Sequence, residues 1–365
     1  MTEELKSASQ WRLIWRRFKR HRVGMVGGIT ILVLVFLTLF ASFISPYHYA
    51  TSFKRYPLAP PTRIHFFDEN GFRGPFVYAI VRTRDPVTNR ESYQIDKSVK
   101  CPIRFFVHGD EYKLWGLFKT DLHLFGVAEP CKLFLFGSDR FGRDIFSRTL
   151  FGGWIDLSIG PLSLVFSMLL GILIGGISGY YGGKVDILIQ RTIEVFQSFP
   201  ALPIWLALAA TFPKNWSSTM TFYGLVMIFS LLGWPGLARV IRGQILALRE
   251  KEFALAAKAI GASDMRIILR HLLPNITSYL VVVATLAIPG MILGEATISF
   301  LGYGIKEPMT SWGLLLHQAN EISRFRDTPW LLIPGAFIVI AVLAFNFLGD
   351  ALRDAVDPYS VKGRR

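Results

Sequence analysis

Charge is scarce in this chain. Asp, Glu, Lys and Arg make up 18% of its 365 residues, against roughly a quarter in an ordinary soluble domain, which argues against a soluble single-domain enzyme. Cysteine is scarcer still: Cys101 and Cys131 are the only two, with no CxxC spacing, so neither a disulfide-built scaffold nor a zinc framework explains the fold. A nucleotide loop is also missing. The nearest segment, SGYYGGKV at residues 178–185, has Ser178 in place of the first glycine and Val185 in place of the Mg²⁺-binding hydroxyl, so the chain is not expected to hydrolyse ATP. There is no H-E-x-x-H and no G-x-S-x-G, and the histidines are scattered. No catalytic residue and no metal site are expected.

Large apolar side chains are abundant: 30 Phe, 12 Tyr and 9 Trp, which must be buried in protein or lipid. A hydrocarbon core about 30 Å thick takes roughly 20 apolar residues in helix. Val23–Ser45, Leu157–Tyr181, Trp216–Leu237 and Trp330–Gly349 carry no charged residue, and Ile276–Gly294 is a fifth such run. Val195–Phe212 is a weaker sixth, short and interrupted by Pro200 and Pro203. The first run is longer than a signal-peptide core and is expected to remain as an anchor. Arg12, Arg16, Arg17, Lys19, Arg20 and Arg22 precede it, which puts the N-terminus in the cytoplasm, and six spans return the C-terminus there. Arg239–Arg270, with seven Lys and Arg against three acids, agrees. The net charge of +14 is therefore a topology signal facing membrane lipid, and no nucleic-acid partner is expected.

Residues 46–136 read differently. FVYAIVRTRDPVTNRESYQI reads as two strands around Asp85, Pro86 and Asn89, and IRFFVHGDEYKLWG as two more around Gly109 and Asp110, giving a small β-rich domain outside the membrane. Both cysteines fall within it. A Cys101–Cys131 disulfide would stabilise it by about 3 kcal/mol on the chain-entropy model; two buried free thiols are the alternative. Next comes LFGSDRFGRDIFSRTLFGG, whose interleaved charges and Phe residues suit a segment lying at the membrane surface, or a solvated turn. Within the spans, ionisable and strongly polar groups are few, and such groups mark pathways. Glu295, expected near the outer end of span five, and Asn346 are the candidates.

The most informative stretch is REKEFALAAKAIGASDMRIILRHLLPN, residues 249–275. It reads as a helix, a break at Gly261, a second helix with Ser263 as N-cap, and a kink or end at Pro274. Glu252 opens the first helix. Phe253, Ala256, Ala257 and Ile260 fall on one apolar face at 3.6 residues per turn, and the small residues allow close approach of a partner.

This loop resembles the EAA loop of type I ABC-transporter permeases, E-A-A-x-x-x-G followed by nine residues and a hydrophobic-x-L-P ending. Ala256, Ala257, Gly261, Leu273 and Pro274 match in spacing; Leu255 stands where the motif has Glu, and His271 where it often has Ile. FGSDRFGRDIFSR, GYYGGKVD, SFLGYG with SWG, and FNFLGDALRDAVDP are similar to segments of the C-type subunit of the dipeptide/oligopeptide permease branch. The resemblance implies an all-α polytopic membrane protein with six transmembrane helices of the type I permease fold; the extracytoplasmic β-rich insertion is not explained by it and is longer than most members carry. Its parts would be a basic cytoplasmic N-terminus (1–22), helix 1 (23–45), the insertion (46–136), the permease domain (137–350) with its coupling loop, and a cytoplasmic tail (351–365). It further implies a bacterial inner-membrane importer subunit for peptides or related solutes, paired with a homologous B-type subunit, two cytoplasmic ATPase subunits holding ATP and Mg²⁺, and an extracytoplasmic solute-binding protein. A membrane-embedded export or assembly factor with an outer β domain is the alternative.

Overall fold

The computed structural model describes residues 10–69, 71–84, 86, 91–320 and 327–357. Among them, helices α1 (Gln10–Phe18), α2 (Arg22–Leu39) and α3 (Ala41–Ile44) precede strands β1 (His65–Asp68), β2 (Gly71–Arg84), β3 (Glu91–Leu114) and β4 (Phe118–Val127). Then follow α4 (Ile145–Tyr181), α5 (Gly183–Gln197), α6 (Ala201–Ala210), α7 (Ser218–Leu248), α8 (Glu252–Ala259), α9 (Asp264–Phe300), α10 (Trp312–Asn320) and α11 (Ile333–Val356). The chain divides into two compact units. One takes in the described residues up to Leu32, Leu157–Ile298 and the described residues from Val339; the other is Val33–Asp156 with Ser299–Ile338.

Five helices among the described residues are long and apolar enough to cross a membrane: α2, α4, α7, α9 and the helical run Pro329–Val356. The expected sixth span, Val195–Phe212, is not one straight helix. Pro200 ends the path of α5, and α6 leaves at 76° to it, because the residue before a proline is driven out of the helical region. Counting that bent pair as one span gives six at most.

In the first unit, α4 and α7 cross closely. Gly171, Gly175 and Gly179 recur every fourth residue on α4, and a Cβ at any of them would run into Leu237, Ala238 or Arg242 of α7. Small residues at this spacing let helices meet backbone to backbone, the main source of packing energy where water is absent. Ile14 and Phe18 of α1 bury against Ala351 and Ala355, and Arg17 reaches the Asp357 carbonyl at 3.2 Å. The C-terminal signature thus anchors the N-terminal helix.

In the second unit, the strands form one antiparallel sheet in the order β1-β2-β3-β4. The β2–β3 hairpin follows the sequence expectation, although Asp85 and Asn89 of its turn lie outside the described residues. The second pair does not: Gly109 and Asp110 form no turn. β3 runs on through them with a register irregularity between His108 and Tyr112, and β4 is its partner. A Cβ at Gly109 would meet the ring of buried His123, so that glycine clears space beneath a long strand. Cys101 and Cys131 are joined by a disulfide, buried with Val77, Ala79 and Leu133.

Candidate functional site

Residues 249–275 are seated on the ends of α4 and α7, beside the turn that leads into α5. Gly182 and Gly183 both have positive φ, a backbone only glycine takes without strain, and the resulting turn brings Asp186 onto Arg242. The pair is bidentate, Nε and Nη2 of Arg242 on the two carboxylate oxygens. Ser178 Oγ donates to the same carboxylate at 2.5 Å, and Gln190 Nε2 donates to Ser178 at 3.2 Å. Arg249 Nη1 donates to the Gly179 and Tyr180 carbonyls at 3.2 and 3.1 Å, covering orphan acceptors at the end of α4. Tyr180 Oη donates to Asp264 Oδ1 at 2.8 Å. GYYGGKVD and the loop are therefore two halves of one platform.

Ala254 and Ala257 of α8 bury against Ile241, Ile245, Ile267 and Leu272. The expected single face of Phe253, Ala256, Ala257 and Ile260 is thus corrected: Ala257 is 4% exposed, whereas Ile260 is 86% exposed and Leu255 54%. Ala256 and Phe253 are also exposed. Successive helix residues diverge by about 100°, and the core formed with α7 and α9 has claimed the Ala254–Ala257 side. Glu252, exposed in the first turn of α8, complements the helix dipole. Gly261 closes the helix at φ +84°. Its N–H donates to the Lys258 carbonyl and that of Ala262 to the Ala257 carbonyl, the two bonds of a Schellman cap. Nothing lies within 4 Å of where a Cβ would stand, so glycine is required there by backbone conformation and not by close packing within this chain.

Two further expectations for the loop change. Ser263 occupies the N-cap position without a side-chain cap bond. Pro274 neither ends nor interrupts its helix: α9 runs through it, and the turns Ile267–Leu272 just before are π-helical. Widening to an i→i+5 pattern absorbs the missing proline N–H. Leu273 and His271 are half-buried in this stretch, and the His271 carbonyl accepts from Asn275 Nδ2 at 2.6 Å.

The segment read as lying at the membrane surface, or as a solvated turn, is not a solvated turn: most of its residues are buried in the protein, with Arg140 and Phe141 exposed. Asp139 Oδ2 accepts from Arg143 Nε at 2.7 Å and Arg148 Nη1 at 2.6 Å, and Glu307 Oε1 accepts from Arg143 Nη1 at 2.7 Å and Gln318 Nε2 at 2.7 Å. Two arginines and two carboxylates neutralise one another, as buried charges must. Burial pushes the Glu307 carboxyl up, but the hydrogen bond from Arg143 and the charges of Arg148 and Arg143 outweigh it and hold the group below its ordinary value. Asp144 Oδ2 accepts from the N–H and Oγ of Ser147 at 2.8 and 2.6 Å. Trp312 donates from its backbone N–H to Asp156 at 2.9 Å and from its indole to the Thr149 carbonyl at 2.8 Å. SDRFGRDIFSR and SWG are thereby held as one knot. Glu295 is fully buried in α9. Asn346 is half-buried on α11 and bonds to the Val342 carbonyl of its own helix at 2.9 Å.

The family of binding-protein-dependent transport system inner membrane components matches residues 171–360, a stretch that includes the whole platform. The chain belongs to this family. The N-terminal transmembrane domain of oligopeptide transport permease C matches residues 9–61, and the relatives place the chain among C-type permease subunits. The oligopeptide transport system permease protein OppC of Haemophilus influenzae is 41% identical over 244 residues, 66% of this chain and 75% of that protein. The dipeptide transport system permease protein DppC of Lactococcus lactis subsp. cremoris is 32% identical over 346 residues, 94% and 89% respectively. Among solved structures, an inward-facing MetNI methionine ABC transporter is 20% identical with a TM-score of 0.45, covering 57% of this chain and 96% of that one.

In this binding-protein-dependent permease, sequence reasoning missed the partners of the motifs it singled out. Asp186 with Arg242, Arg249 on the end of α4, and Glu307 with Arg148 join segments distant in the chain. The G-x-x-x-G-x-x-x-G spacing at 171–179 was the available signal for the α4–α7 crossing.

Proposed function

We propose that this permease subunit forms half of the translocation pathway of an ABC importer for peptides, in the bacterial inner membrane with both termini cytoplasmic. Its sister is a homologous B-type permease subunit. Two cytoplasmic ATPase subunits, which hold ATP and Mg²⁺, drive it, and an extracytoplasmic solute-binding protein delivers the substrate to the side where residues 46–136 lie. The names of the relatives, oligopeptide and dipeptide permeases, support peptides as the substrate class.

The observation that carries the reading is α8, fixed on one side into the permease core and presenting Phe253, Leu255, Ala256 and Ile260 to solvent on the other. A short helix with an uncovered apolar face and a rigid seat is suited to receive motion from a separate subunit. Leu255, in the place of the motif's Glu, makes this face more apolar. Glu252 provides a carboxylate one turn earlier. Glu295 and Asn346 remain our candidates for the pathway. The test is copurification of the tagged chain from native membranes in mild detergent, followed by reconstitution. Two nucleotide-binding proteins and a second permease should accompany it, and ATP-dependent peptide uptake should follow. Copurification of a secretion or assembly complex without nucleotide-binding subunits would contradict the proposal.

A further inference from the structure

The β3–β4 hairpin reaches back to the end of α2. The Trp115 indole donates from Nε1 to the Leu39 carbonyl at 2.9 Å, and its ring meets Phe40 edge-on at 5.3 Å. Leu39 is the last residue of α2, an apolar helix of spanning length whose Val33, Phe36 and Leu39 side chains are exposed. The hairpin tip is therefore held level with the end of a membrane span.

The tip is built to put apolar groups outward. Trp115 and Gly116, its central residues, both have positive φ, +52° and +75°, and Leu117 N–H donates to the Leu114 carbonyl at 3.0 Å. These two residues lie in a three-residue loop between Leu114 and Phe118, and two successive left-handed residues are a backbone that normally takes Asn and Gly. A tryptophan at positive φ is strained, and here the strain is borne to place an indole. Trp115, Leu117 and Phe118 are 55%, 76% and 62% exposed and fall within four residues. Immediately behind them Lys113 sits directly across from Lys119, with Glu111 paired to Lys119 at 2.7 Å. Like charges directly opposite are unfavourable in water; Glu111 offsets part of that cost, and lipid phosphates would offset the rest.

We propose that this hairpin tip is a membrane-interface anchor. Trp115, Leu117 and Phe118 lie in the lipid leaflet reached by the end of α2, and Lys113 and Lys119 meet its headgroup phosphates. An amphipathic ring, two apolar side chains and a collar of lysines is the composition that partitions to this depth. The anchor ties the β sheet to the bilayer independently of any solute-binding protein. It rests on the reading of α2 as a membrane span.

Both native cysteines are consumed in the disulfide, so an engineered cysteine is the only free thiol of this chain, and the partner subunits are used in cysteine-free form. Leu117→Cys, Val33→Cys on α2 and Ser92→Cys at the far end of β3 would each be labelled with a small environment-sensitive fluorophore in the assembled transporter in lipid nanodiscs. Quenching by shallow doxyl-lipid is then compared with quenching by aqueous iodide. Position 117 should be quenched by the lipid probe nearly as strongly as position 33, and severalfold less by iodide than position 92. Iodide quenching at 117 equal to that at 92 would overturn the anchor in favour of solvent. Protection from both quenchers would overturn it in favour of a protein partner. Failure of the lipid probe at position 33 would remove the span on which the anchor depends, whereas success at 33 and failure at 117 would remove the anchor alone.

Discussion

Ala256 and Ala257 are adjacent in the chain and about 100° apart around α8: Ala257 is packed into the permease's own core, and Ala256 is turned to solvent. That divergence separates what holds α8 in place from what it offers to a partner. Ala257→Leu overpacks the core and should cost about 1–3 kcal/mol, read as loss of the subunit from the membrane. Ile260→Asp, on the outer face, should leave membrane abundance unchanged and abolish recovery of the ATPase subunits. Quantitative blots of the membrane fraction and of the pull-down separate the two effects.

Gly261 gives a third behaviour. At φ +84° any side chain is strained, so Gly261→Trp weakens the cap as well as adding bulk and does not report on docking alone. Gly261→Asn, which tolerates the left-handed region better than other residues, should retain more transport than Gly261→Val. Equal loss in both would point to the added volume and away from the backbone. Uptake normalised to membrane abundance is the measurement.

The Asp186–Arg242 pair couples the end of α7 to the start of α5. Asp186→Ala leaves a partly buried guanidinium without its bidentate acceptor and should lower stability by about 1–3 kcal/mol. The Asp186→Ala/Arg242→Ala double variant should cost clearly less than the sum of the single changes, as for groups in direct contact. Thermal unfolding in detergent of the four proteins of this cycle tests it; strict additivity would contradict a coupled pair.

Much of this was legible in the sequence, and the reason is physical. Uncharged runs of spanning length, basic flanks and the loop spacing are local signals, and five of the expected runs lie on helices of spanning length. Burial is not local. SDRFGRDIFSR alternates charge with Phe and reads as a surface segment because Glu307, the carboxylate that pairs with Arg143 and Arg148, comes from far along the chain. The same holds for α8, where periodicity gives an apolar face but cannot say which side the core will take. Gly109 and Asp110 are turn residues by composition, yet they lie inside β3, because a glycine there makes room for the ring of His123.

Asp144 sets a pH dependence. Burial pushes its carboxyl up to about 7 from an ordinary 3.8, against the hydrogen bonds from Ser147 and Phe146. The folded chain thus holds this proton more tightly than the unfolded one, so the contribution of Asp144 to stability is greatest below the ordinary value and declines as pH rises through the window between the two. Asp144→Asn keeps an acceptor for Ser147 and removes the buried charge, so its melting temperature should fall less than that of the wild type between the two ends of that window. An identical pH dependence in both proteins would contradict the assignment.

The disulfide closes a loop with a sequence separation of 30 and should contribute about 3 kcal/mol on the chain-entropy model. Alkylation of the unfolded but unreduced protein should modify no cysteine, and after reduction two. The Cys101→Ser/Cys131→Ser variant should melt at lower temperature while its α8 platform still recovers the ATPase subunits, because the bond lies in the other unit.

The central claim is that the outer face of α8 docks the ATPase, and cross-linking from single engineered thiols tests it most directly. Ile260→Cys and Ala257→Cys are introduced separately into the assembled transporter, with cysteines in the ATPase subunits left in place and a short thiol-specific linker added. The account predicts a permease–ATPase product from position 260 and none from position 257. No product from position 260 in a transporter that still couples ATP hydrolysis to uptake would contradict it.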